Sequence, residues 1–195
     1  MIESEEQRVG RNKENIVNHA YINSGKYKRK FDCISDNREL SRILYKVAKK
    51  MLEHRSGTKY EDMYWVDLDT LNIIAKETNV TVEKKIVYSA ATERAIKKYN
   101  NLLTIHTHPD SFPPSIDDFN ANYEHEYVIG IVVCHDGRVY MYSANERVNE
   151  NYYNLVVEGY LKNGYNEDEA QIMALSEIQK YFDINFKEVT DDGDI

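Results

Sequence analysis

The sequence of residues 102–118 is LLTIHTHPDSFPPSIDD, which predicts a strand, a short loop and the start of a helix. The apolar run at 102–105 is rich in β-forming residues, as in a buried strand. Residues two apart on a strand point to the same side, so His106 and His108 converge at its end. Pro109 cannot continue the ladder of backbone hydrogen bonds, so we expect the strand to stop there.

The helix that follows begins with a capping-box pattern. Ser115 is a favoured N-cap residue, and Asp118 occupies the third helical position, from which a side chain folds back toward the cap. This geometry aims Asp118 at the end of the preceding strand. A helix cap alone would explain both residues, but a cap and a metal site are compatible with each other.

Two imidazoles and one carboxylate together offer three ligands to one metal ion. Three protein ligands plus water are typical of a catalytic zinc site, whereas a structural zinc site is usually closed by four. His106, His108 and Asp118 are therefore the predicted metal ligands. Asp117 is the alternative carboxylate, although the spacing from Ser115 favours Asp118.

The pattern His-Thr-His-Pro followed by Ser-x-x-Asp resembles the JAMM motif of the JAB/MPN family, the zinc isopeptidases and metalloproteases that include deubiquitinases. The resemblance implies Zn²⁺ on His106, His108 and Asp118, with the Ser115 hydroxyl helping to hold the developing oxyanion. Five residues separate Pro109 from Ser115, where many family members have six. A looser similarity at 22–27 and 57–62 is to JAB domains of phage-associated and mobile-element proteins from Gram-positive bacteria.

The activity that this resemblance implies is hydrolysis of an amide or isopeptide bond by a zinc-activated water with a glutamate general base. The partner would be a protein or peptide substrate, ubiquitin-like conjugates included. Two alternatives stay open. One is a RadC-like or phage- or mobile-element-associated module that acts in DNA metabolism or assembly without proteolysis. The other is a non-enzymatic assembly protein that keeps zinc for stability, and the complete ligand set favours the enzyme over both.

The family also needs a glutamate upstream of the histidines, because a carboxylate must accept the proton of the water. Glu61 is the predicted general base. It lies where one helix has ended and a strand begins, and its separation from His106 is typical of the family. An exposed acidic residue at a strand start is the competing interpretation. The nearby upstream candidates are Glu53, Glu61, Glu77, Glu83 and Glu93.

The resemblance covers about residues 36–144 and implies an α/β (α+β) fold with a mixed, largely antiparallel sheet flanked by helices. Residues 1–35 form a predicted N-terminal extension, and 145–195 a C-terminal helical extension. Apolar residues at helical spacing predict a helix opened by Asp36 and Glu39. The other predicted elements are strands near 62–68, 73–77 and 80–88, a helix near 90–99, a hairpin of 127–134 and 138–143, and helices at 145–162 and after Asn166.

Composition indicates which partners and which cellular location to expect for the protein. A net charge of −8 makes nucleic acid an unexpected partner, and the basic run at 26–30 is predicted to be solvated surface. Two cysteines suit a reducing compartment, and neither a signal peptide nor a membrane-length apolar run is present. The expected location is cytoplasmic, with no membrane partner. His125 and His135 are predicted to be a surface residue and a polar turn residue.

Overall fold

The computed structural model describes residues 13–191, in which helices flank both faces of a six-stranded sheet. The outer parts of the predicted extensions, 1–12 and 192–195, lie outside the described residues. The strands are β1 (Met63–Asp67), β2 (Ile73–Glu77), β3 (Leu102–His108), β4 (Ile129–Cys134), β5 (Val139–Ala144) and β6 (Ile184–Glu188). The helices are α1 (His19–Ile22), α2 (Gly25–Asp32), α3 (Arg38–Arg55), α4 (Ala90–Ile96), α5 (Ile116–Glu124), α6 (Glu150–Lys162) and α7 (Glu167–Ile178). None of the helices within 13–191 has the length and apolar character that a membrane span requires.

The sheet has the strand order β2-β1-β3-β4-β5-β6. Every neighbouring pair is antiparallel except β3 and β4, and α5 lies in the crossover between those two strands. The predicted mixed, largely antiparallel sheet with flanking helices is therefore confirmed. Strand β3 is hydrogen-bonded to a neighbour on each edge, so the backbone that carries the two motif histidines is fixed from both sides.

One face of the sheet packs against α3 and the N-terminal segment. Val17, Ile22, Tyr27 and Phe31 are at most 1% exposed and belong to the same hydrophobic cluster as the apolar stripe of α3. Alternate strand residues complete this cluster because side chains on a strand point to opposite faces in turn. Those strand residues are Tyr64, Val66, Leu103, Ile105, Ile131, Val133 and Val139.

The basic run at 26–30 lies within α2 and is only partly solvated. Tyr27 is buried against the core, and Lys30 Nζ donates a hydrogen bond of 3.2 Å to the carbonyl of Gly137. Burial lowers the pKa of Lys30, although nearby carboxylates oppose the shift. The prediction of a solvated surface was wrong for these two residues, because the amphipathic face of α2 completes the core.

The opposite face is covered by α5, α6 and α7. Its cluster joins Phe119 of α5 to Tyr142 of β5, and Leu175 of α7 to Ile184 of β6. The capping box at the start of α7, formed by Asn166 and Glu169, matches the predicted helix start. Strand β6, which the sequence reasoning missed, pairs with β5 and returns residues 184–188 to the sheet.

Two local predictions were wrong. The N-cap of α3 is Asn37 rather than Asp36, because the Asn37 side chain accepts the backbone N–H groups of Glu39 and Leu40. Residues 80–88 form no strand. The segment instead approaches the residues before β1, where Lys84 N donates a hydrogen bond of 2.9 Å to the carbonyl of Lys59, and it then leads into α4.

Candidate metal centre

Three side chains from two elements meet at the end of β3. His106 and His108 project from the same side of that strand, and Asp118 comes from the first turn of α5. The Nε2 atoms of the histidines are 3.1 Å apart. Asp118 Oδ1 lies 3.2 Å from His106 Nε2, and Oδ2 lies 3.4 Å from His108 Nε2. These are the residues that could hold a metal ion, and exposed Asp117 is not among them.

The capping box fixes the direction of the Asp118 carboxylate. Ser115 N donates to Asp118 Oδ2 at 2.7 Å, and Asp118 N donates to Ser115 Oγ at 3.2 Å. The Ser115 hydroxyl also lies 2.8 Å from Asp118 Oδ2 and donates to it. The predicted cap is therefore confirmed, and the same contacts orient a metal-ligating carboxylate. The predicted oxyanion role of Ser115 stays a prediction.

A loop carbonyl sets the tautomer of His108. His108 Nδ1 lies 2.9 Å from the carbonyl oxygen of Phe112, which only accepts, so Nδ1 carries the proton. In the neutral ring, the lone pair of Nε2 then points toward His106 and Asp118. A backbone carbonyl behind a ligating histidine is the usual arrangement in metal sites. The buried Nδ1 of His106 has no such partner within the described part of the chain.

The separations of the ligand atoms suit a small divalent cation. A tetrahedral ion with bonds of about 2.0–2.1 Å places neighbouring ligand atoms about 3.3–3.4 Å apart. The observed 3.1, 3.2 and 3.4 Å lie close to that value. Three lone-pair atoms this close together repel one another unless a positive charge lies between them, so the donor set fits a metal ion.

The pKa shifts of His108 and Asp118 also indicate that the cluster favours a positive charge. Burial opposes the protonated form of His108, but the hydrogen bond and charge of Asp118 outweigh it and raise the pKa to about 9. Burial alone would raise the pKa of Asp118, but the two histidines hold that pKa well below the usual range. The carboxylate is thus ionised and stabilises a cation beside it.

Glu61 is buried beside these ligands. It is 8% exposed, and burial raises the pKa of its carboxyl, while the charges of His108 and His106 oppose the shift. The glutamate precedes β1, which pairs with β3 so that Met63 faces His106. The structure thus brings Glu61 to the ligand cluster, while none of the other four candidate glutamates lines the cavity described below; its role as general base stays a prediction.

An ion-pair network anchors the residue after Glu61. Asp62 is 1% exposed, and its carboxylate accepts hydrogen bonds of 2.6 Å from both Arg55 Nε and His54 Nδ1. Its backbone exchanges two hydrogen bonds with Thr107, which lies between the two histidines. Sequence reasoning missed this network. The only signal was the position of His54 and Arg55 in the last turn of α3.

The ligands open onto a cavity of about 490 Å³ between β3, α5 and the irregular segment that follows β2. Glu61 and Ser115 both line this cavity, so all five predicted site residues border one space. Other lining residues are Met63, Lys84, Lys85, Ile86, Tyr88, Thr104, Phe112, Ala121, Asn122, His125, Tyr127, Tyr142 and Gln171. The cavity is large enough for more than one residue of a substrate chain.

Three residues that hold the loop between β3 and α5, directly or through a neighbour, have contacts that sequence reasoning missed. His135 lies in the turn after β4, as predicted, but it is buried, and its Nδ1 donates to the carbonyl of Asn15 at 2.7 Å. Asn15 in turn donates to the carbonyl of Pro109 at 2.6 Å. Arg138 donates to the carbonyl of Ser111 at 2.6 Å. These contacts span long sequence distances, so no local pattern could have predicted them. His125 is exposed as predicted, although it also lines the cavity.

Comparison with other proteins adds no assignment: no family model, curated protein or solved structure matches this chain. The group His106, His108 and Asp118 remains the principal chemical feature of the described residues. Its geometry, and the residues that share its cavity, therefore carry the functional inference.

Proposed function

We propose that the chain is a zinc-dependent peptidase or isopeptidase that hydrolyses an amide bond in a protein or peptide. The observation that carries this proposal is the juxtaposition of three converging ligand atoms with a buried carboxylate in one cavity. Three protein ligands leave room for a further ligand, which is the feature that separates catalytic zinc sites from structural ones. The resemblance of the motif to the JAMM signature supports the same reaction.

His106, His108 and Asp118 would hold the zinc ion. When bound, zinc supplies Lewis acidity, which polarises an amide carbonyl and lowers the pKa of water to about 7. Glu61 accepts the proton of the attacking water and passes it to the leaving nitrogen. Its raised pKa brings the carboxyl closer to neutral pH, where a group that both accepts and returns a proton works best.

Ser115 lies at the cavity wall as the proposed oxyanion donor. The Ser115 hydroxyl donates to Asp118 in this structure. To act as an oxyanion donor, the hydroxyl would have to rotate from Asp118 toward the substrate oxygen, where negative charge develops. The substrate is a protein or peptide, and isopeptide bonds of ubiquitin-like conjugates belong to the same chemical class. A cytoplasmic location accompanies the proposal, because both cysteines are free thiols.

The non-proteolytic alternatives receive less support. A role in DNA metabolism depends on the basic run at 26–30, yet Lys30 is buried, and Lys26 and Arg29 lie within ion-pair distance of Asp191. A zinc site kept only for stability would not need a buried carboxylate such as Glu61 beside the ligands. We therefore place hydrolysis first.

The proposal is tested by comparing Glu61→Gln with wild type for metal content and cleavage. We expect about one zinc per chain in both proteins, and cleavage of a proteome-derived peptide library by wild type alone, read by mass spectrometry. Asp118→Asn should lose the zinc, and Glu83→Gln, an exposed carboxylate outside the cavity, should behave as wild type. Cleavage by Glu61→Gln at the wild-type rate, or wild type that binds no zinc, would refute the proposal.

A further inference from the structure

The cavity continues inward from the metal ligands to a second group of polar atoms. Thr104 precedes His106 by two residues on β3 and lies on the same side of the strand. Asn122 follows Asp118 by one turn of α5 and lies on the same helix face. Both residues line the cavity. Each is about 6 Å along its element from the neighbouring metal ligand, which is roughly the spacing between the scissile bond and an adjacent side chain.

Asn122 presents a buried donor without an acceptor. The residue is 1% exposed, and its Oδ1 accepts the backbone N–H of Ala144 at 2.9 Å. That bond settles which end of the amide is oxygen, so Nδ2 is the free end. Nδ2 has no hydrogen-bond partner within residues 13–191. An unsatisfied buried amide costs about 1–3 kcal/mol, which a ligand with a suitable acceptor would recover.

Thr104 supplies a hydroxyl at the same depth. The side chain is fully buried, and its Oγ1 makes no hydrogen bond of good geometry in the part of the chain that the structure describes. The Tyr142 hydroxyl lies within hydrogen-bonding reach of Oγ1, so a ligand N–H would compete with this loose contact. A hydroxyl can accept as well as donate, so Thr104 complements a ligand N–H.

Aromatic rings form the walls around these two groups. The Tyr142 ring lies across Gly130. A Cβ atom at position 130 would be 2.1 Å from the ring, so only glycine leaves room for the ring in this position. Tyr127 accepts a 3.0 Å hydrogen bond from Trp65 Nε1, and its ring stacks on His125 at 5.2 Å. The inner part of the cavity therefore suits a flat, largely apolar group with a polar tip.

The charges favour a neutral tip. The lysines that line the cavity, Lys84 and Lys85, belong to the exposed segment at its mouth, and Lys84 pairs with Asp110. Among the described residues of the inner part, none carries a formal positive charge, since burial lowers the pKa of His125. A carboxylate placed there would lose its hydration without a direct ion pair, because the metal ligands lie about 6 Å further along both elements.

We propose that this inner subsite binds a primary carboxamide, as in a glutamine or asparagine side chain of the substrate. The carboxamide oxygen would accept from Asn122 Nδ2, and its nitrogen would donate to Thr104 Oγ1. This assignment names a specificity pocket for the proposed hydrolysis and rests on that function for its biological meaning. The binding itself is a property of the cavity and requires neither metal nor catalysis.

The test is a titration of the full-length, metal-free protein with benzamide, followed by ¹H–¹⁵N correlation spectra. We expect saturable binding in the millimolar range with shifts of the Asn122 side-chain amide signals. Thr104→Val removes the hydroxyl at constant shape and should weaken benzamide binding about fivefold. Asn122→Asp keeps the acceptor for Ala144 and removes the donor, and should weaken benzamide binding about tenfold or more.

Gln171→Ala is the matched control, because Gln171 lines the same cavity and also lies beside exposed Ser115 and Asp117 at the start of α5. It should bind benzamide as wild type does, and benzoate should bind wild type at least tenfold more weakly than benzamide. Benzamide binding that is unchanged in both Thr104→Val and Asn122→Asp, with spectra of folded protein, would overturn the subsite. Benzamide binding by a protein that proves to lack hydrolytic activity would keep the subsite and refute only the proposed function.

Discussion

Replacing Arg55 by methionine should be among the most damaging substitutions away from the metal ligands. The guanidinium is 1% exposed, and it donates to Asp62 Oδ1 at 2.6 Å and to the carbonyl of Thr78 at 2.7 Å. Methionine preserves the apolar stem but leaves a buried carboxylate with His54 as its remaining side-chain partner. The Thr78 carbonyl also loses its donor.

The magnitude follows from the burial of both partners. Removing one member of a buried ion pair typically costs about 3–5 kcal/mol, because the other charge stays in a medium that solvates it poorly. For a domain of this size, each kcal/mol shifts the melting temperature by about 2–4 °C. We therefore expect Arg55→Met to lower the melting temperature by about 6–20 °C in thermal unfolding followed by circular dichroism.

Two controls sharpen this experiment. Lys49 forms an ion pair with Glu53 one helical turn away on the partly exposed side of α3, so Lys49→Met should change stability by less than about 0.5 kcal/mol. The double variant Arg55→Met with Asp62→Leu removes both charges and should be more stable than Arg55→Met alone. An Arg55→Met variant as stable as Lys49→Met, or a double variant that loses the sum of the two single losses, would refute the reasoning.

Three further predictions concern other parts of the molecule. Burial alone would raise the pKa of Glu77, but hydrogen bonds from Ser89 and Thr92 at the start of α4 outweigh burial and lower the pKa. The ionised carboxylate therefore stabilises the fold above the unfolded-state pKa, and this stabilisation is lost as the pH falls. Glu77→Gln should therefore cost about 1 kcal/mol in urea unfolding at pH 7 and almost nothing at pH 3, and equal losses at both values would contradict this. Arg138→Gln removes the hydrogen bond to the carbonyl of Ser111, which lies in the loop behind the metal ligands. It should weaken zinc binding about tenfold in a chelator competition. Unchanged zinc affinity would show that this hydrogen bond is not needed to hold the loop in place. Gly130→Ala forces the Tyr142 ring to move and should cost about 1–3 kcal/mol in thermal unfolding, so a variant as stable as wild type would mean that the ring does not lie across Gly130.

Local chemistry explains why parts of the fold were predictable. The apolar residues of α3 recur at helical spacing, and two β-forming runs flank the turn at His135; the structure has a helix and a hairpin there. The region at 80–88 is also rich in β-forming residues but forms no strand, although β2 is an edge strand of the described sheet. Its conformation depends on contacts outside the segment, such as the backbone hydrogen bond from Lys84 to Lys59, and a local pattern does not contain that information.

The same distinction applies to the candidate site. The spacing of His106 and His108, and the cap formed by Ser115 and Asp118, are local, and their convergence follows from the geometry of a strand end and a helix start. Glu61 lies 45 residues upstream of His106. Its position beside the ligands depends on the pairing of β1 with β3, so it was chosen from a family resemblance rather than from local physics.

The sequence by itself determined the candidate ligand set and the strand, loop and helix that carry it, because these depend on residues close together in the chain. It also fixed the acidic, cysteine-poor character of the chain, which is a matter of composition. Only the tertiary structure decided that Arg55 and His54 secure Asp62, that α2 completes the core, and that Asn122 and Thr104 face one cavity. Such contacts join residues that are distant along the chain. Their free energy depends on burial and mutual orientation, and neither exists until the sheet and its helices have assembled.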